Sequence, residues 1–154
     1  MENAMNSHHY TECGLKNVFI SGLDFVNDDE GDEIITIPAV NELHRVIALG
    51  IVSHEHGISP DELRFLRTEM GYTQAELAVL VHHDKQSVGR WERGEFVIDG
   101  SAETIIRRLA IEKLDLASGA GMDELSRRSV HTLKPQPIQI QHSNDDGYQL
   151  LAAA

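Results

Sequence analysis

Cysteine is almost missing from this chain: Cys13 is the only one in 154 residues. An internal disulfide is therefore excluded, a cysteine-built zinc site would need ligands from several chains, and a reducing cytoplasm is the compartment expected. Long apolar runs are missing too. The longest, residues 46–52, is far short of the roughly 20 residues of a membrane-spanning helix. Residues 1–10 carry no basic stretch followed by an apolar one, so neither membrane insertion nor export is expected. The sequence holds no GxSxG, no phosphate-cradling GxxxxGKS/T and no HExxH, so neither enzymatic activity nor a cofactor is expected. Among the nine histidines, His54 and His56 form an HxH pair at an expected helix end, with no Cys or carboxylate at ligand spacing nearby, and no metal is expected. Basic residues are scarce, with 13 Lys and Arg against 25 Asp and Glu and a formal net charge of −12. That balance opposes nucleic-acid binding, which rests on neutralising phosphates. The acid is uneven, however: residues 1–58 hold 2 basic and 10 acidic side chains, and residues 59–114 hold 8 and 10.

What is present lies between residues 73 and 94, TQAELAVLVHHDKQSVGRWERG. Thr73 and Glu76 have the spacing of a reciprocal capping box, and Leu77 and Val81 follow four apart on one face. After a polar break, Asp84 is an N-cap acceptor for a second helix whose buried stripe is Val88 and Trp91. Lys85, Gln86, Gly89, Arg90 and Arg93 are left facing outward. Lys and Arg suit guanine O6 and N7, and Gln suits adenine N6 and N7, so this arc has the chemistry of major-groove readout. Upstream, Ser59, Pro60 and Glu62 give a second capping box before a stripe of Leu63, Leu66 and Met70. Downstream, Ser101 is the expected cap of a helix that buries Ile105, Ile106, Leu109 and Leu114 and leaves Arg107, Arg108 and Lys113 outside.

With Leu63, Arg67, Gly71, Thr73, Gln74, Glu76, Leu77, Ala78, Val88, Arg90, Trp91, Glu92 and Gly94 in place, residues 59–114 resemble the Xre type of helix-turn-helix, the family of Cro and the lambdoid phage repressors. The resemblance implies a compact five-helix domain that binds double-stranded operator DNA as a dimer. It also implies an internal ion pair between Arg67 and Glu92. Lys85, Gln86, Ser87 and Arg90 are expected to read bases; Thr73, Gln74 and Arg93 are expected to hold the backbone, Gln74 on a phosphate. In the turn, where the family usually has Gly then Val, this chain has His82 and His83, which asks a non-glycine residue to accept a left-handed backbone.

The fold expected for the whole chain is mainly α with a small β component. Residues 1–57 form an acidic α+β module for dimerisation or partner binding, 58–116 the helix-turn-helix domain, and 117–154 a linker, short helix and extended hairpin or frayed tail. Residues 10–22 and 33–37 read as strands with a loop between them, and a helix after Pro38 carries Val40, Leu43, Ile47 and Ile51 and ends near Gly57. In the last segment a strand, a turn at Asn144, Asp145, Asp146 and Gly147, and a returning strand are expected. This layout is similar to antitoxins of the MqsA type, although Cys13 alone cannot supply their zinc ribbon. The antitoxin alternative makes a basic toxin protein the partner of the acidic first third, because complementary charge speeds and orients docking.

Overall fold

A computed structural model describes residues 7–131, 135–143 and 147–151. Short strands β1 (His8–His9) and β2 (Val18–Ser21) come first, and β3 (Phe25–Asn27) and β4 (Glu33–Ile35) form a separate hairpin. The helices are α1 (Val40–Ser53), α2 (Pro60–Met70), α3 (Gln74–Leu80), α4 (Lys85–Glu92), α5 (Gly100–Lys113) and α6 (Met122–Arg128). Strands β5 (Ile138–Ser143) and β6 (Gly147–Leu150) follow. Four helices, α2 to α5, fall within residues 58–116, where the resemblance implied five.

The main sheet has the order β1-β2-β5-β6, with β5 parallel to β2 and antiparallel to β6. Val18 and Ile20 stand in register with Ile138 and Ile140, and all four bury beside Leu43, Ile47 and Ile51 of α1. Strands β2 and β5, more than a hundred residues apart in sequence, thus share one sheet. Both edges of β5 are paired, one with β2 and the other with β6. The expected turn residues Asn144, Asp145 and Asp146 lie outside the described residues. Residues 24–33, expected as a loop, contain β3: Phe25 and Val26 pair with Ile35 and Ile34, and the Asp28 carboxylate accepts the amides of Glu30 and Asp32 at 2.9 and 2.8 Å to close the turn.

Helix α1 stops at Ser53, short of Gly57, and leaves Val40 exposed at its start. Gly57 is needed at its place for a different reason: a Cβ there would come within 2.0 Å of the Val130 carbonyl oxygen. Helix α5 is capped by Asp99 rather than Ser101, the carboxylate accepting from the Ala102 amide at 3.1 Å. A charged acceptor suits the positive end of the helix, and Ser101 falls inside the first turn.

Arg107, expected in solvent, is fully buried. Its guanidinium donates to the carbonyls of Val52, His54, His56 and Arg128 at 2.8, 3.1, 2.6 and 3.2 Å and to the Glu103 carboxylate at 3.0 Å. Val52, His54 and Arg128 sit where α1 and α6 end and their last carbonyls lack helical partners, so one planar fork of five donors satisfies two helix ends at once. Burial pushes the Glu103 carboxyl above its ordinary range, with Arg107 opposing.

Two polar chains tie the sheet to the helices. Asn17 donates to Glu62 at 2.9 Å and to the Gln136 carbonyl at 2.6 Å, while Glu62 completes the capping box of α2 with Ser59. Tyr10, His44 and Glu69 form a hydrogen-bonded line with contacts of 3.0 and 3.1 Å. Near the first chain, burial beside Arg107 pushes the His54 imidazole down from 6.5 to about 4. The unfolded chain then takes up a proton that the folded chain refuses. Stability is lost as pH falls from 6.5 towards 4, by about 3 kcal/mol in all. Replacing His54 by Gln is expected to remove that component. Urea unfolding of both proteins at pH 7 and pH 4 checks it, since the gap between them should change by about that amount.

Candidate nucleic-acid interface

Helices α2, α3 and α4 form one unit because each has its own start signal and a shared apolar interior. Thr73 and Glu76 make a reciprocal capping box at α3, with contacts of 3.1 and 2.9 Å, and Asp84 accepts the Ser87 amide at 2.8 Å to begin α4. Leu77, Ala78 and Val81 bury against Val88 and Trp91. The turn between them needs a left-handed residue, and His82 takes it at φ 61°. Next to it, His83 stands edge-on to Trp91, with ring centroids 4.8 Å apart.

Gly89, expected on the outer arc, is buried between the two helices. A Cβ there would lie 3.5 Å from the Gln74 side-chain oxygen and 3.1 Å from Nη1 of Arg93. A methyl group there would touch Gln74 of α3 at ordinary contact distance and press only on the flexible end of Arg93. The remaining outer positions are Lys85, Gln86, Arg90 and Arg93, all exposed, with Ser87 half-buried. Arg93 donates to Glu95 at 2.7 Å, and the Arg90 guanidinium lies 5.5 Å from the centre of the exposed Phe96 ring. Lys85 and Gln86 have no such tether among the described residues.

Behind this arc sits Glu92, whose side chain is wholly buried. Arg67 grips both of its oxygens through Nε and Nη2, the latter at 3.0 Å, and also donates to the Tyr72 carbonyl at 2.9 Å. The Gln74 amide donates to Glu92 at 3.0 Å, and Arg64 stands 3.6 Å away. Burial pushes the Glu92 carboxyl up, but the Arg67 and Gln74 hydrogen bonds outweigh it and hold the group below its ordinary value. One Gln74 amide proton is thus spent inside the domain, and the other remains for an outside acceptor. The hydroxyl of Thr73 accepts the Glu76 amide and keeps its own proton.

Arg64 and Phe96 were missed by the sequence reading. Arg64 was legible as an outward position on α2, three before Arg67. Phe96 had no signal, being a large apolar residue in a loop.

The arrangement is a three-helix unit that leaves one side of the short helix α4 open, with donors along it. No curated protein and no solved structure matches this chain. No helix among the described residues is long and apolar enough to cross a membrane. Residues 63–102 match the family model described as helix-turn-helix, a family of DNA-binding domains, so α2 to α4 with the start of α5 constitute a helix-turn-helix domain within the chain.

Proposed function

We propose that this chain is a sequence-specific transcription regulator that binds double-stranded DNA as a homodimer, places α4 in the major groove, and represses its own operator in the cytoplasm. The observation that carries the reading is the exposure of Lys85, Gln86 and Arg90 on a helix whose other side is fixed through Val88 and Trp91. Lys85, Gln86, Ser87 and Arg90 are assigned to base edges, and Thr73, Gln74 and Arg93 to the sugar-phosphate backbone. Because the domain is not basic overall, binding rests on this local patch, and two copies on a palindrome supply the affinity that one half-site lacks. The test is selection of bound duplexes from a random pool at low salt, followed by mobility shifts. Arg90→Ala should cost about 1–3 kcal/mol on the selected site and relax preference at one base position. An equal loss on unrelated sequences would move Arg90 to a phosphate, and a pool that yields no preferred sequence would end the reading.

A second reading, an antitoxin that neutralises a basic toxin, is favoured by the β3–β4 hairpin. Its cross-strand pair Val26 and Ile34 is 57% and 47% exposed. Beside it, Asp28, Glu30 and Asp32 bring carboxylate oxygens within 4.8 Å of one another. Co-expression with a basic neighbour-gene product decides: a complex that Val26→Asp abolishes supports this role, and absence of any complex removes it.

A further inference from the structure

Among the donors at the leading end of α4 stands one side chain of the opposite kind. Asp84 is exposed, and it is the only exposed carboxylate in residues 84–93, since Glu92 is buried. Its orientation is fixed from within: it accepts the Ser87 amide at 2.8 Å. We propose that Asp84 is a specificity-determining residue, accepting a hydrogen bond from an amino group on a base edge, cytosine N4 or adenine N6, at one position of each half-site. This rests on the reading of α4 as the helix that enters the groove.

The chemistry leaves few other roles for the group in a complex. A carboxylate has about four lone-pair sites, and the bond from the Ser87 amide leaves acceptor capacity unused. Phosphate repels it, guanine O6 and N7 and thymine O4 offer it no proton, and only the amino groups of cytosine and adenine can donate to it in the major groove. Hydrogen bonding with Ser87 holds the carboxyl below its ordinary range, so it stays ionised and acceptor-only at neutral pH. The amino end of α4 would then read an amino group through Asp84, and acceptors through Lys85, Gln86 and Arg90 further along.

The test compares wild type with Asp84→Ser and Asp84→Asn in the random-pool selection, using the full chain. Both replacements retain a capping acceptor, and thermal unfolding should verify that they leave the fold in place. Wild type should prefer a C or A at one position by on the order of tenfold. Asp84→Ser should flatten that position alone, weaken binding to the wild-type site, and strengthen binding to unrelated duplexes by removing a negative charge. Asp84→Asn, whose amide both donates and accepts, should change the preferred base there rather than only flatten it. The inference is overturned if the serine variant keeps the wild-type preferences and binds every duplex more tightly, which would make Asp84 a repulsive cap and nothing more. Should wild type select no sequence, the groove-entering reading falls and this inference with it. Selection by wild type with preferences untouched in both variants sinks the Asp84 assignment alone.

Discussion

Arg107→Met is expected to lower stability by about 3–5 kcal/mol, enough to leave a domain of ordinary stability largely unfolded. Methionine keeps much of the volume and removes the charge. The carbonyls of His54, His56 and Arg128 then lose their donor inside the protein, that of Val52 keeps only Nη1 of Arg128 at 3.2 Å, and Glu103 is left with the Ile58 amide at 3.1 Å. Each buried group left without a partner costs roughly 1–3 kcal/mol, and relaxation or an entering water recovers part of it. Arg107→Lys keeps the charge but cannot fork to several carbonyls at once, so it should fall between wild type and methionine. Urea unfolding at pH 7 measures all three. A methionine variant within about 1 kcal/mol of wild type would mean that the helix ends find other donors.

Arg67→Met should cost about 3 kcal/mol and abolish DNA binding beyond what lost stability explains. Glu92 would remain buried with Gln74 at 3.0 Å and the more distant Arg64. Because Glu92 lies in α4 while Arg67 lies in α2, the pair fixes the presentation of the outer arc as well as the packing beneath it. The pH dependence has a definite sign. The folded carboxyl is held below its ordinary value of 4.5, so the pair's stabilisation is present above that value and fades as pH falls below it. Wild type should therefore lose more stability than Arg67→Met on acidification below pH 4.5, in the same range where His54 has already taken its toll. Equal acid sensitivity in the two proteins would mean that Gln74 and Arg64 alone hold the Glu92 charge.

Local chemistry made the helix-turn-helix legible. The two capping boxes depend on residues three apart, and the α4 face follows from a period of 3.6, so Ser59 with Glu62, Thr73 with Glu76, Asp84, and the arc of Lys85, Gln86 and Arg90 could be placed without a structure. The same period misled at Gly89, because it assigns a face but not how closely the neighbouring helix approaches. Arg107 was hidden for a different reason: its partners include backbone carbonyls more than fifty residues away, and backbone carbonyls leave no mark in a sequence. An Arg next to Arg108 on a charged-looking helix reads as solvent-exposed unless those partners are known. The place of β5 was equally illegible, since the alternation at Ile138 and Ile140 specifies a buried face but not which strand lies alongside. Val18 and Ile20, more than a hundred residues earlier, present an identical pattern.

The proposed function requires α4 to meet base edges with its amino end leading. Amide chemical shifts of the isotope-labelled full chain, followed while a selected duplex is added, test it most directly. The largest changes are expected at residues 84–93 and at the start of α3 around Thr73 and Gln74, with the main sheet unchanged. Changes centred on the β3–β4 hairpin or on the sheet, with residues 84–93 silent, would contradict it.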